Sequence, residues 1–132
     1  MRVLLADDSV LILDALHEIL YAVDQVVIVA SCKNGTDALK AIRTHVPDLA
    51  IVDLKMPGLT GIEVLTGIRK ENQFTIFIIL TLYSTLYYRQ LAMEAGADYF
   101  FSKADDFDNI AGVVEEMVRE EYREKGIKTA DR

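Results

Sequence analysis

Cysteine, positive charge and unbroken apolar sequence are all scarce in these 132 residues, and each shortage closes off a class of protein. Cys32 stands alone, so no internal disulfide can form, and the chain suits a reducing compartment. Lysine and arginine total 14 against 21 acids, a formal net charge of −7. That balance repels a phosphate backbone, which argues against DNA or RNA contact by these residues and makes a cation the easier partner. The longest apolar run, Phe74 to Leu82, is broken by Thr75 and Thr81 and falls short of the roughly 20 residues a membrane-spanning helix needs. Near the start, Asp7-Asp8 arrives before an apolar stretch of signal-peptide length can accumulate. The expectation is a cytoplasmic protein without membrane contact. Low-complexity stretches and internal linkers are also missing, and His17 and His45 lack metal-ligand spacing.

What remains is a globular composition, 52% hydrophobic and 27% charged, of a length that suits one domain. Its pattern alternates. Val3 to Ala6 suits a short buried strand, and Val10 to Val23 carries Ile12, Leu16, Ile19 and Val23 at helical spacing. Val26 to Ala30 is β-branched, and Asn34 then caps a helix bearing Ala38, Leu39 and Ile42. Leu49 to Val52 predicts the third strand and Gly61 to Lys70 the third helix. Ile76 to Leu80 predicts the fourth strand, followed by a helix from about Ser84 to Ala95 that Gly96 ends. Asp98 to Phe101 makes a fifth strand. Asp105 or Asp106 caps the last helix, with Ile110, Val113, Val114, Met117 and Val118 inward and Glu115, Glu116, Glu120 and Glu121 outward. Five strands alternating with five helices imply an α/β fold, a parallel sheet covered on both faces, while the strand order stays open. Residues 1–124 form the domain, and 125–132 read as a polar tail or the start of a linker.

The misfit residues fall at one place. In a parallel α/β sheet, ligands bind beyond the carboxyl ends of the strands. Asp7 and Asp8 follow the first strand, Asp53 the third, Thr81 the fourth, and Ser102-Lys103 the fifth. Taken singly, an acid after a strand can be a helix cap and Lys103 a solvated lysine; together they predict one crevice. Three carboxylates crowded there repel one another unless a cation is present, and magnesium, a hard ion that takes oxygen ligands, suits them. With Lys103 and the metal drawing charge, Asp53 can attack phosphorus and Thr81 can donate to a phosphoryl oxygen.

The segments Leu5-Ala6-Asp7-Asp8-Ser9, Asp53-Leu54-Lys55-Met56-Pro57-Gly58-Leu59-Thr60-Gly61, Ala95-Gly96-Ala97-Asp98, with Thr81 and Lys103, resemble the receiver domain of two-component response regulators over residues 2 to about 122. The resemblance implies a flavodoxin-like (receiver) fold with strand order 2-1-3-4-5. It also implies a signalling switch rather than a turnover enzyme, with a histidine kinase or phosphotransfer protein as partner and phosphorylation-linked dimerisation as an option. Asp53 would accept the phosphoryl group and Lys103 pair with it. Asp8, Asp53 and the Lys55 carbonyl would bind magnesium directly, and Asp7 through water. Thr81 and an inward-turning Phe100 would transmit the change to a surface formed by the fourth helix, fifth strand and fifth helix.

Departures from the family pattern are specific. Leu82 follows Thr81 where the family usually has a small residue, which narrows access to Asp53. Lys55 and Tyr83 are bulky at positions that govern how water reaches an acyl phosphate. Ala104 replaces the proline common after the lysine, as in a subgroup of transcription-regulator receivers. Tyr83, Tyr87 and Tyr88 either pack on the sheet or form an aromatic contact surface. Met56 and Pro57 shape the loop after Asp53. Among alternatives, a haloacid-dehalogenase-type phosphatase needs its nucleophile after the first strand and a second acid two residues on, where this chain has Ser9. A flavin carrier needs phosphate donors that Asp7-Asp8-Ser9 does not supply. No helix-turn-helix lies within these residues.

Overall fold

The computed structural model describes residues 1–126. Elements follow in strict alternation: β1 Arg2–Ala6, α1 Val10–Tyr21, β2 Val27–Cys32, α2 Gly35–His45, β3 Leu49–Val52, α3 Gly61–Arg69, β4 Ile76–Thr81, α4 Leu86–Ala95, β5 Tyr99–Ser102 and α5 Ile110–Glu124, with a 3-10 turn over Phe107–Asn109. All strand pairs are parallel, in the order β2-β1-β3-β4-β5.

Why the strands are apolar throughout is visible in the two cores. Alternate residues face opposite sides of a sheet, so both sides must be greasy when helices cover both. Leu4, Ala50, Val52, Phe77 and Ile79 pack with Ala38, Val64, Ile68 and Ala92 of α2, α3 and α4. Val3, Leu5, Leu49, Ile51 and Ile78 pack with Leu13, Leu16 and Leu20 of α1 and with Ile110 and Val114 of α5. At about 25 cal/mol per Å² of apolar surface, each fully buried Leu, Ile or Phe contributes roughly 1.5–3 kcal/mol before chain entropy is subtracted.

Local chemistry sets the boundaries, and here the structure corrects several expectations. Asn34 caps α2 as expected, its side chain accepting from the Asp37 amide at 2.7 Å. Thr60 and Glu63 form a capping box at α3. Helix α4 starts later than Ser84 because the Thr85 hydroxyl accepts from the Tyr88 amide; Gly96, at φ 107°, ends it as expected. Strand β5 begins at Tyr99, since the Asp98 carboxylate is taken up by the Phe77 amide at 2.8 Å and by Arg69. Neither Asp105 nor Asp106 caps α5: the Asp106 carboxylate turns back to accept from the Ser102 amide at 2.8 Å, and the intervening 3-10 turn leads into a helix that starts at Ile110. Nor is Glu121 outward, for its side chain is only 18% exposed. From residue 127 on, the expected polar tail lies outside the described residues.

Candidate functional site

The carboxyl edge of the sheet is held by three backbone rungs that extend the ladder one residue past the strands. The Asp7 amide donates to the Cys32 carbonyl at 3.0 Å, the Asp53 amide to Ala6 at 2.9 Å, and the Lys103 amide to Thr81 at 2.9 Å. Each rung fixes the backbone from which a charged side chain departs. Strand register therefore brings together residues nearly a hundred positions apart.

Asp7, Asp8 and Asp53 meet with one carboxylate oxygen each, all within 4.8 Å of one another. This is the only group of three or more such ligands among the described residues. Asp7 and Asp53 are buried, while Asp8 is exposed at the rim. The Lys103 ammonium lies 2.6 Å from Asp7 and 3.1 Å from Asp53, with its side chain only 7% exposed. Burial pushes the Asp53 carboxyl above its ordinary range and the Asp7 charge adds to this, with Lys103 opposing. Burial works against the Lys103 ammonium, but hydrogen bonding to Asp7 and the two carboxylate charges outweigh it and hold its pKa above the usual lysine value.

One cation for three carboxylates leaves the cluster two charges short of balance. The donors are all hard oxygens, at a spacing a divalent ion spans, and the charge they leave is what such an ion removes. Magnesium fits this set on both counts.

A cavity of about 440 Å³ opens over the cluster, lined by Asp8, Asp53, Lys55, Lys103, Leu82 and Tyr83, among others. Leu82 thus stands in the wall, 69% exposed, as its bulk beside Thr81 leads one to expect. Lys55 also reaches sideways: its ammonium lies 5.0 Å from the centroid of the Tyr88 ring and 5.5 Å from that of Tyr83. Tyr83 and Tyr88 meet edge to face, as do Tyr87 and Tyr88. Tyr88 packs on the core, whereas Tyr83 and Tyr87 are exposed.

Thr81 is the last residue of β4, fully buried, and its hydroxyl accepts from the Tyr83 amide at 3.0 Å. Phe100 is turned inward at 5% exposure, with Arg89 over its ring at 6.0 Å and donating to its carbonyl at 3.3 Å.

Two contributors escaped the sequence reading. A Cβ on Gly61 would lie 2.3 Å from the Asp53 carbonyl oxygen, and one on Gly35 would lie 1.8 Å from that of Leu59. Both helices therefore start hard against the loop that follows Asp53, an approach only glycine permits. The Gly35 amide also donates to Pro57 at 3.0 Å, and Met56 is buried in the core, so this loop is tied at both ends.

A doubly wound five-stranded sheet with an acid triad at its switch point, two of its members bridged by Lys103, defines the class of open α/β domains that take a ligand at the carboxyl edge. The response regulator receiver domain family matches residues 3–115, and the chain belongs to that family: it is the receiver domain of a two-component response regulator. It is 32% identical over 115 residues to the DNA-binding transcriptional activator EvgA of Escherichia coli K12, covering 87% of this chain and 56% of that protein. It is 35% identical over 85 residues to sporulation initiation phosphotransferase F of Bacillus subtilis, covering 64% of this chain and 68% of that protein. In structure it superposes on the receiver domain of the putative response regulator NarL from Mycobacterium tuberculosis with a TM-score of 0.82, at 26% identity, covering 89% and 95% of the two chains. The chain spans little more than half the length of EvgA. The family match leaves the phosphatase alternative without support. Among the described residues, no helix is long and apolar enough to cross a membrane.

Proposed function

We propose that Asp53 is the phosphoacceptor, supplied by a histidine kinase or phosphotransfer protein, and that Asp7, Asp8, Asp53 and the Lys55 carbonyl hold the magnesium ion that the reaction requires. The observation that carries this reading is the Lys103 ammonium lying 3.1 Å from the Asp53 carboxylate within an oxygen cluster open to a cavity. A carboxylate oxygen of Asp53 forms a bond to phosphorus as the bond from phosphorus to the donor's imidazole nitrogen breaks, and that nitrogen keeps the electron pair. Magnesium, when bound, supplies positive charge at the phosphoryl oxygens. Lys103 holds a further positive charge beside the group, and its reach to Asp7 keeps it in place before the group arrives.

Thr81 and Phe100 act as the switch. The Thr81 hydroxyl accepts one hydrogen bond but keeps its own proton, which a phosphoryl oxygen would draw toward the cavity. A phosphoryl group that bonds Thr81 and Lys103 better in one arrangement shifts the population toward it. The change is then read out on α4, β5 and α5. This is regulation, with self-phosphorylation and self-dephosphorylation as its only chemistry. We assign the domain to residues 1–124, and no DNA contact to a chain of net charge −7.

The test is labelling by acetyl phosphate with magnesium, followed by intact mass. The wild-type chain gains one phosphoryl group, lost on hydroxylamine treatment, and Asp53→Asn gains none. Hydroxylamine-sensitive label retained by Asp53→Asn contradicts the assignment. Sedimentation of the labelled chain reads phosphorylation-linked self-association at the same time.

A further inference from the structure

A cavity larger than the acidic one lies elsewhere and shares no lining residue with it. It is a groove of about 880 Å³ that runs beside α5, from Asp108 and Asn109 to Lys125, and past the amino ends of the strands at Met1, Asp48, Ile76 and Tyr99. Its floor is apolar, with Ile76, Val113 and Met117 beneath Phe74 and Tyr99, which are 61% and 37% exposed. Six carboxylates stand around that floor, and Lys125 is the only cationic side chain among the lining residues. Lys125 is already bonded to one oxygen of Glu121 at 2.7 Å, while the other oxygen of Glu121 is buried with no hydrogen-bond partner. Glu116 is paired within the helix with Arg119, but neither Asp108 nor Glu124 forms an ion pair among the described residues.

From this combination we infer that the groove docks an amphipathic, basic segment of a partner protein, apolar toward Phe74, Tyr99 and Met117 and cationic toward Asp108, Glu121 and Glu124. The inference gives a partner chemistry to the β5 and α5 part of the output surface and rests on that reading only for its biological meaning, because docking does not require Asp53 to be phosphorylated. Shape favours a helix, since the α5 stretch beside the groove extends about 24 Å at 1.5 Å per residue, and an apolar stripe laid in such a groove is a recurring mode of peptide recognition. Charge selects the partner. A second copy of this chain across a two-fold axis would set one acid-rimmed groove against another, and nucleic acid would be repelled outright. A basic segment meets the unpaired acids, and a swing of Glu121 toward an incoming ammonium gives its idle oxygen a donor.

Two synthetic helical peptides of about sixteen residues test this, long enough to match the groove. They share one leucine and alanine face; the polar face is lysine and arginine in one and glutamate in the other. Labelled peptide is titrated with the 132-residue chain by fluorescence anisotropy, and amide shifts are mapped by NMR. The basic peptide is expected to saturate and to move the amides of Phe74, Tyr99 and Gly112. The acidic one should not bind. The double reversal Asp108→Lys with Glu124→Lys, both at exposed positions, is expected to weaken the basic peptide by about tenfold, as is raising the salt past the point where the Debye length is about 5 Å. Equal binding of the two peptides, shifts confined to the Asp53 cavity, or a change within about twofold in the double variant overturns the inference. Self-association of the peptide-free chain that protects Tyr99 overturns it in favour of a second copy. Acetyl-phosphate labelling of the same double variant reads the Asp53 site separately: labelling retained with peptide binding lost separates the groove from the phosphoacceptor, and labelling lost from wild type as well rejects only the reading of Asp53.

Discussion

The two ends of the central sheet both carry acids, and they treat them in opposite ways. At the amino edge each carboxylate has donors of its own. Asp48 accepts from the Arg2 amide at 2.7 Å, and Asp98 accepts from the Phe77 amide at 2.8 Å and from Arg69 at 3.1 Å. Thr75, fully buried there, donates to the Pro47 carbonyl at 3.0 Å. At the carboxyl edge, Asp7 and Asp53 share Lys103, and Asp8 crowds in beside them. A satisfied acid is a clamp between segments, and removing it exposes the groups it served. An acid cluster short of cations is held in a state the fold alone would not choose, and its surplus charge is an affinity waiting for a ligand.

Asp98→Ala should show the largest effect on stability. It strands the Phe77 amide and removes a partner from Arg69, whose side chain is only 10% exposed, and should cost about 2 kcal/mol in denaturant unfolding while leaving magnesium affinity unchanged. If magnesium affinity fell with it, the two edges would not be independent. Asp8→Ala should behave in reverse, since Asp8 is exposed and bonded to little. Magnesium affinity, read by titration of the thermal midpoint, should weaken by about tenfold, or about 1.4 kcal/mol, with little change in the ion-free midpoint.

Asp53→Asn sharpens the contrast through its sign. Because burial and Asp7 raise the Asp53 pKa, its charge opposes folding: ion-free stability should fall as pH rises through that raised value, where the folded protein holds a proton that the unfolded chain has lost. In chelator the Asn variant should lose that slope and be more stable than wild type by about 1 kcal/mol near neutral pH. A variant less stable than wild type in chelator would show that the Lys103 pairing outweighs the repulsion. The smallest effect belongs to Thr75→Val, which keeps the shape and drops one hydrogen bond, at about 1 kcal/mol or less and with no change in metal binding.

How much of this was open to reading follows from the physics of each feature. The alternation was legible because a strand covered on both faces must be apolar throughout, whereas α1 and α5 leave a polar side. The acid crevice was legible because a carboxylate after such a run breaks the pattern at the one edge where ligands bind. Strand order came from family resemblance, since periodicity carries no information on which strands are neighbours. Helix caps were harder. Ser84 and Thr85 both qualify, as do Asp105 and Asp106, and tertiary demand decides: Ser102 claims Asp106 at 2.8 Å. Glu121 misled because a charged residue on a helical stripe can still lie along the edge of the buried face, its second carboxylate oxygen shut from water. The tight approach of Gly61 to Asp53 leaves no mark in composition, only in the space a side chain would fill.

The Lys55 ammonium resting between the rings of Tyr83 and Tyr88 has a practical corollary for chimeras. A graft that exchanges α4 alone removes Tyr88 and leaves Tyr83 as the remaining aromatic partner of Lys55, so residues 53–60 and 82–90 are transplanted together if Lys55 is to keep both rings.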